Sequence, residues 1–199
     1  DRTVLSVTTT TSLDCMTTAE SVRQRVAVVL PPAVGIVVAV SLVVITRQPY
    51  RSFDTYFHLR FGSEFRSDWT LTSPGQPSAA STNDWVPTQW LSQIALSWID
   101  DVAGDAGLAA TLALLCVVLG VTTYVMLRRW TAPAPATCLL AAVLFGMAPS
   151  LSLRPQVLSY VLLAIVVIAW DRARRSGRPP YVLVPLAWLW CMLHGMWIL

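Results

Sequence analysis

The sequence predicts an all-α fold, a polytopic bundle of transmembrane helices with one long extracytoplasmic loop that carries short amphipathic helices. Three observations lead there. Apolar residues make up 55% of the chain and charged ones only 13%, a balance outside the usual range of a soluble domain. Several stretches free of charge approach or exceed the roughly 20 residues that a helix needs to cross hydrocarbon. The arginines gather in clusters between those stretches, as topology signals do.

Taken in order, residues 1–25 are polar and Thr-rich and end in Arg23 and Arg25, which predicts a disordered cytoplasmic tail. A signal peptide is not indicated, because the next apolar run is too long and lacks a small-residue cleavage site. The membrane domain then occupies 26–199. Its first span covers about 26–46, with Pro31 and Pro32 bending it or marking its start. The extracytoplasmic loop follows at 47–105. Within it, Asp54, His58 and Arg60 fall in seven positions of an otherwise charge-poor chain, and a short helix would set Asp54 and His58 on one face. Residues 73–84 are rich in Pro, Gly, Ser and Asn and read as irregular loop.

From Thr88 the pattern changes. Leu91, Ile94, Ala95 and Trp98 recur at helical spacing, with Gln89, Ser92, Gln93 and Ser97 between them and Pro87 at a plausible helix start. This predicts an amphipathic helix lying on the membrane surface, with Trp85, Trp90 and Trp98 at headgroup level. Asp100 and Asp101 mark its solvated end. The second span covers about 106–127 and is closed by Arg128 and Arg129.

Between 130 and 170 the only charge is Arg154. A single helix over about forty residues would be roughly 60 Å long, twice the hydrocarbon thickness, so the chain must fold back. Residues 149–155 supply the turn, giving spans at about 132–150 and 151–170. A fifth span at 181–199 is bent near Pro185. The chain lacks an initiating Met and stops inside this apolar run, so the sequence reads as an N-terminal fragment of a longer protein.

Charge sorting sets the expected orientation. With the N-terminus in the cytoplasm, nine arginines (2, 23, 25, 128, 129, 172, 174, 175 and 178) fall inside. Five (47, 51, 60, 66 and 154) fall outside, in keeping with the positive-inside rule for a multi-pass plasma-membrane protein. The net charge of +3 is small and sorted by side, which argues against nucleic acid as a partner and leaves membrane lipids as the expected one. The four cysteines form no C-x-x-C pair, and Cys116, Cys138 and Cys191 sit in apolar runs, so neither a metal site nor a disulfide framework is indicated.

That topology gathers Asp54, His58, Trp90, Arg154 and His194 on the outer face. An ionisable group within a span is costly and usually faces a bundle interior or a wet cavity. An acid, two imidazoles and a cation converging there suit an anionic headgroup with a base beside it. Asp54 and His58 are the candidate catalytic pair, and Arg154, His194 and Trp90 the candidate substrate-binding set; no metal ligand is assigned. Each also has a structural explanation. Asp54 would cap a helix, His58 would hydrogen-bond locally, Arg154 would snorkel to headgroups, and Trp90 and His194 would sit in an interfacial belt.

Four motifs in order carry a family resemblance. They are Asp-x-x-x-His-Leu-Arg-x-Gly from Asp54, Trp-Val-Pro-Thr-Gln-Trp-Leu at 85–91, Leu-Arg-Pro-Gln at 153–156 and Leu-His-Gly at 193–195. From about residue 25 onward the chain resembles a bacterial family of polytopic membrane proteins similar to C-type-fold glycosyltransferases. In those enzymes the first extracytoplasmic loop begins with an acid that acts as base on the acceptor or helps to hold a metal, and the sugar donor is attached to a polyprenyl phosphate. The resemblance implies that role for Asp54, with a polyprenyl-phosphate-linked sugar as substrate. Many of those enzymes carry paired acids, whereas Asp54 is followed by Thr55, so no cofactor is assigned, and a divalent metal stays open without being indicated. The rival from another class is a non-catalytic membrane protein: a lipid-binding or envelope-assembly partner, or a transporter of lipid-linked substrates.

Overall fold

A computed structural model of the chain describes residues 24–26, 29, 30, 33, 35 and 52–195. The expected tail and first span therefore lie almost wholly outside the described residues. Every regular element among the described residues is helical. Helix α1 is Phe53–Ser67, α2 is Trp90–Leu127, α3 is Pro133–Met147, α4 is Pro155–Ser176 and α5 is Leu183–Leu193. Three helices, Trp90–Arg128, Pro133–Ser150 and Pro155–Ser176, are long and apolar enough to cross a membrane. The all-helical membrane fold expected from composition is thus present, and the protein is an integral membrane protein.

The helices begin and end where local chemistry dictates. Ser52 caps α1, its hydroxyl accepting from the Asp54 amide at 3.2 Å. Asp54 is therefore a first-turn residue and not the N-cap that its type allowed. Proline opens both α3 and α4, where its missing N–H is harmless. Helix α4 closes at Gly177, which adopts φ 67°. A short 3-10 turn at Ala148–Ser150 leads from α3 towards Arg154, so the fold-back falls in the expected place.

The helix expected from Thr88 and the span expected at about 106–127 meet at a kink within α2, where Gly104 (φ 54°, ψ −151°) is non-helical. The first part of α2 differs from expectation in the face it buries. Its polar stripe is turned inward. Gln93 and Ser97 are buried against α1 and Ser92 against the end of α5, while Trp98 is 57% exposed. Close approach explains the reversal: a Cβ on Gly62 of α1 would collide with the Gln93 carbonyl and the Ser97 side chain, so small and polar residues must face it. Ion pairing between Arg66 and Asp101 at 2.5 Å, with a second Arg66 bond to the Ser97 hydroxyl at 3.2 Å, fastens the same crossing. Of the stretch expected to hold the fifth span, the described part contains α5, 11 residues that end at extended His194. Residues 196–199 are not among those described.

Gly104 occupies a region of backbone space open essentially to glycine alone, and nothing lies within 4 Å of where its Cβ would be. Gly104→Ala should therefore cost about 1–3 kcal/mol through backbone strain alone. Gly120→Ala offers the control, because Gly120 lies in regular helix with equally open space. Denaturant or thermal unfolding in detergent should show the first variant destabilised and the second unchanged or slightly stabilised. Equal behaviour of the two would mean that Gly104 carries no constraint.

Beyond the break, Leu108, Leu112, Cys116 and Leu119 recur on one face of α2 and meet Leu151, Leu153 and Val161 in the core. Helices α2 and α4 run the same way, with α3 returning between them. Their C-terminal ends are joined by Asp171, which is 5% exposed and pairs with Arg129 at 2.5 Å and Arg175 at 3.0 Å. The opposite end of the pair carries α1, the start of α2, the Arg154 turn and the end of α5. There the cavity lies.

Candidate functional site

Three junctions assemble the site. Thr55 of α1, fully buried, donates its hydroxyl to the Leu153 carbonyl at 3.0 Å and so pins the first turn of α1 beside the turn that precedes α4. Arg154 then reaches back to α1. Its Nη2 lies 3.1 Å from Asp54 Oδ2, and its Nε donates to the Ser52 hydroxyl at 2.8 Å, with Nη2 sharing that acceptor. At the third junction, Ser92 of α2 donates to the Leu193 carbonyl at 2.8 Å and brings His194 into the group.

The result is a cavity of about 470 Å³ whose wall includes Asp54, His58, Gln93, Arg154, Gln156 and His194. Its aromatic side is made by Phe57, Phe61 and Trp85. Phe61 holds that side together, with ring centroids 4.8 Å from Trp85 and 5.4 Å from Trp69. The Trp85 amide donates to the Gly75 carbonyl at 2.8 Å, so the Pro- and Ser-rich loop is folded over α1. A wall with one apolar side and a few convergent polar groups is what small-ligand sites share.

Four of the five residues singled out by sequence therefore meet. Trp90 does not line the cavity; it opens α2 and is half-buried. Trp85, expected as a headgroup anchor, packs on Phe61 instead. Gln93 and Gln156 are wall residues that sequence reasoning assigned no role. Gln93 read as part of a solvated stripe, and only the Gly62 contact turns it inward. The single available signal was Gln156 beside Arg154 in the turn.

Hydrogen bonds orient both imidazoles. Gln93 Nε2 lies 3.4 Å from His58 Nδ1, and the bond places the imidazole proton on Nε2 when the amide donates. Trp190 donates its indole N–H to the Ser159 hydroxyl at 2.7 Å, which frees the hydroxyl proton for His194 Nδ1 at 2.8 Å. His194 then also keeps its proton on Nε2. Within the wall, the Gln93 side-chain oxygen and the Trp85 indole N–H are buried with no partner among the described residues.

Charge is balanced by the Asp54–Arg154 pair, so His58 is under little pressure to ionise. Its burial is the main cause that pulls the imidazole down to about 4; Asp54 opposes the shift, while Arg154 and His194 add to it. The sign follows by linkage. The unfolded chain takes up this proton near 6.5, before the folded chain does, so the stability contributed by neutral His58 is complete above about 6.5. It declines as pH falls from there to about 4, by at most about 1.4 kcal/mol per pH unit. Melting temperature in detergent should fall over that window and flatten in His58→Gln. A variant whose profile matches the wild type would assign the acid sensitivity elsewhere.

Chemically, the wall offers a half-exposed carboxylate, a guanidinium beside it and two neutral imidazoles with N–H groups to donate. Among the described residues no group of three or more His, Cys, Asp or Glu side chains is placed to hold a metal ion. In comparisons with known proteins, no family model, no curated protein and no solved structure matches the chain.

Proposed function

We propose that this integral membrane protein binds a lipid-phosphate-linked sugar in the Asp54–Arg154 cavity, at the extracytoplasmic face of the plasma membrane, and transfers the sugar to an acceptor. The observation that carries the reading is the ion pair itself. Asp54 and Arg154 come from different elements a hundred residues apart in sequence, yet their side chains lie 3.1 Å apart on the wall of a cavity at one end of the spanning helices. A lipid-borne substrate has direct access to such a place, because its phosphate travels at headgroup depth.

In this mechanism Asp54 is the general base. It takes the proton of the acceptor hydroxyl as that oxygen attacks the anomeric carbon, and the bond from that carbon to the phosphate oxygen breaks. The electron pair leaves on the polyprenyl phosphate. Arg154 moves from Asp54 to the departing phosphate as negative charge grows there, which is where a fixed cation contributes most. The Nε2–H groups of His58 and His194 orient the phosphate or the sugar hydroxyls. Orientation relies on the arginines: six lie at the far end of the helices, at 128, 129, 172, 174, 175 and 178, and that end faces the cytoplasm by the positive-inside rule.

The test is sugar transfer from a panel of polyprenyl-phosphate hexoses and pentoses in proteoliposomes, with envelope extract supplying acceptors and released polyprenyl phosphate as readout. Turnover above protein-free vesicles supports the enzyme. One observation favours a second reading, a non-catalytic binder or transporter of the same lipid class: Asp54 already serves Arg154 as a structural partner. Specific binding without turnover across the panel would select it.

A further inference from the structure

At the opposite end of the helices lies a second cavity, with no part in the chemistry proposed above. Helix α4 carries Arg172, Arg174 and Arg175 in or next to its last turn, and Gly177, with φ 67°, ends the helix and turns the chain into Arg178-Pro179-Pro180. The Tyr181 amide donates to the Pro179 carbonyl at 3.0 Å, and that of Leu183 to Pro180 at 2.9 Å, which starts α5. This reversal encloses a cavity of about 280 Å³ lined by Trp170, Ala173, Arg174, Gly177, Arg178 and the two prolines.

Charge at this end is far from balanced. Asp171 is the only acidic residue in the chain after Asp105, against six arginines at this end. Its carboxylate is consumed by Arg129 and Arg175, and Arg175 donates further to the Arg129 carbonyl at 3.2 Å. Arg174 and Arg178 are exposed and have no carboxylate partner among the described residues. Two guanidinium groups thus share one cavity with no anion supplied by the protein.

The surface leading away from the cavity is apolar. Leu163, Val167, Trp170 and Arg174 fall at the four-, three- and four-residue spacing of one helical face, with Leu163 53% and Trp170 62% exposed. An indole at headgroup depth, a cation one turn beyond it and an aliphatic stripe behind it match the three parts of a phospholipid in sequence. Generic topology would require only the charges; it does not explain the cavity between two unpaired arginines or the stripe that ends at it.

The geometry points to a specific site for an anionic phospholipid, its phosphate held between Arg174 and Arg178 and one acyl chain lying along Leu163, Val167 and Trp170. Electrostatic attraction of about 1 kcal/mol per arginine near an anionic surface corresponds to about five-fold in affinity for each. The source of the phosphate is the bilayer, since the stripe can bind only a ligand with a hydrocarbon tail.

The experiment places the full chain in nanodiscs of phosphatidylcholine with a minor share of phosphatidylglycerol. After gentle release, native mass spectrometry counts which lipid stays bound. Retained phosphatidylglycerol should exceed its share of the bilayer, and in Arg174→Gln/Arg178→Gln the affinity should fall by about 25-fold, which brings retention down to that share. Arg172→Gln removes the same kind of charge from outside the cavity lining and should leave retention near the wild-type level. If Arg172→Gln matches a single Arg174→Gln, attraction is diffuse and the site is overturned. Displacement of the lipid by millimolar inorganic phosphate would overturn the bilayer as source. Melting temperature of each variant checks that the fold is kept; these side chains are exposed.

Discussion

Asp54→Asn is expected to lower the rate of sugar transfer by about 10²–10⁴-fold, the range attributed to a positioned acid or base. The amide keeps the size and shape of the carboxylate but cannot accept the proton of the attacking hydroxyl at a useful rate. Affinity for the lipid phosphate should move the other way. Asp54 and a phosphate compete for the same guanidinium, which lies 3.1 Å from the carboxylate, so removing the negative charge leaves Arg154 freer and binding equal or tighter. Rate and affinity should therefore separate. Transfer that survives in Asp54→Asn would remove Asp54 from the role of base. A binder whose Asp54 only positions Arg154 would change affinity with no turnover to lose.

Gly62→Ala should be the most damaging single methyl in the region. Its Cβ would meet the Gln93 backbone carbonyl and the Ser97 side chain inside contact distance, and a backbone cannot yield as a flexible side-chain end does. Overpacking of this kind typically costs about 1–3 kcal/mol. The consequence reaches the site, because α1 carries Asp54 and His58 while α2 carries Gln93. Pushing the helices apart should lower the melting temperature and weaken lipid-phosphate binding together. Leu112→Ala, in a core position 1% exposed, should lower stability by about 2–5 kcal/mol through a cavity, but leave the site geometry in place. If Gly62→Ala binds normally, the α1–α2 crossing does not position the site.

The sequence made some of this legible for a plain energetic reason. In a chain where charge is scarce, Asp54, Arg154 and the two histidines stand out, and each is expensive to place near hydrocarbon without a purpose. The helical fold and the fold-back at 149–155 followed from run length alone, since an apolar run of about forty residues is twice the length of one crossing. What stayed hidden depends on contacts between distant segments. Gln93 and Ser97 look solvated because their neighbours are polar, and only the bare surface of Gly62, thirty residues earlier, turns them inward. Trp85 has the composition of a membrane anchor, and its place on Phe61 is set by how the loop closes through Gly75. Ser52 was invisible as the α1 cap because Asp54 is as good a capping residue by type. Gly104 was not singled out either, although the change from surface helix to span was expected within a few residues of it; its non-helical backbone is the kink at which the two halves of α2 meet.

The central claim is a phosphate site at Arg154, and one measurement addresses it most directly: thermal stability of the purified chain in detergent, with and without polyprenyl phosphate, for wild type and Arg154→Ala. At about a hundred times its dissociation constant a ligand stabilises the form it binds by roughly 2.7 kcal/mol, a readily measured shift. The account predicts that shift in the wild type, its loss in Arg154→Ala, and no comparable shift with an ordinary phospholipid at the same concentration. Absence of any shift in the wild type, or a shift that persists in full without the Arg154 guanidinium, would contradict it.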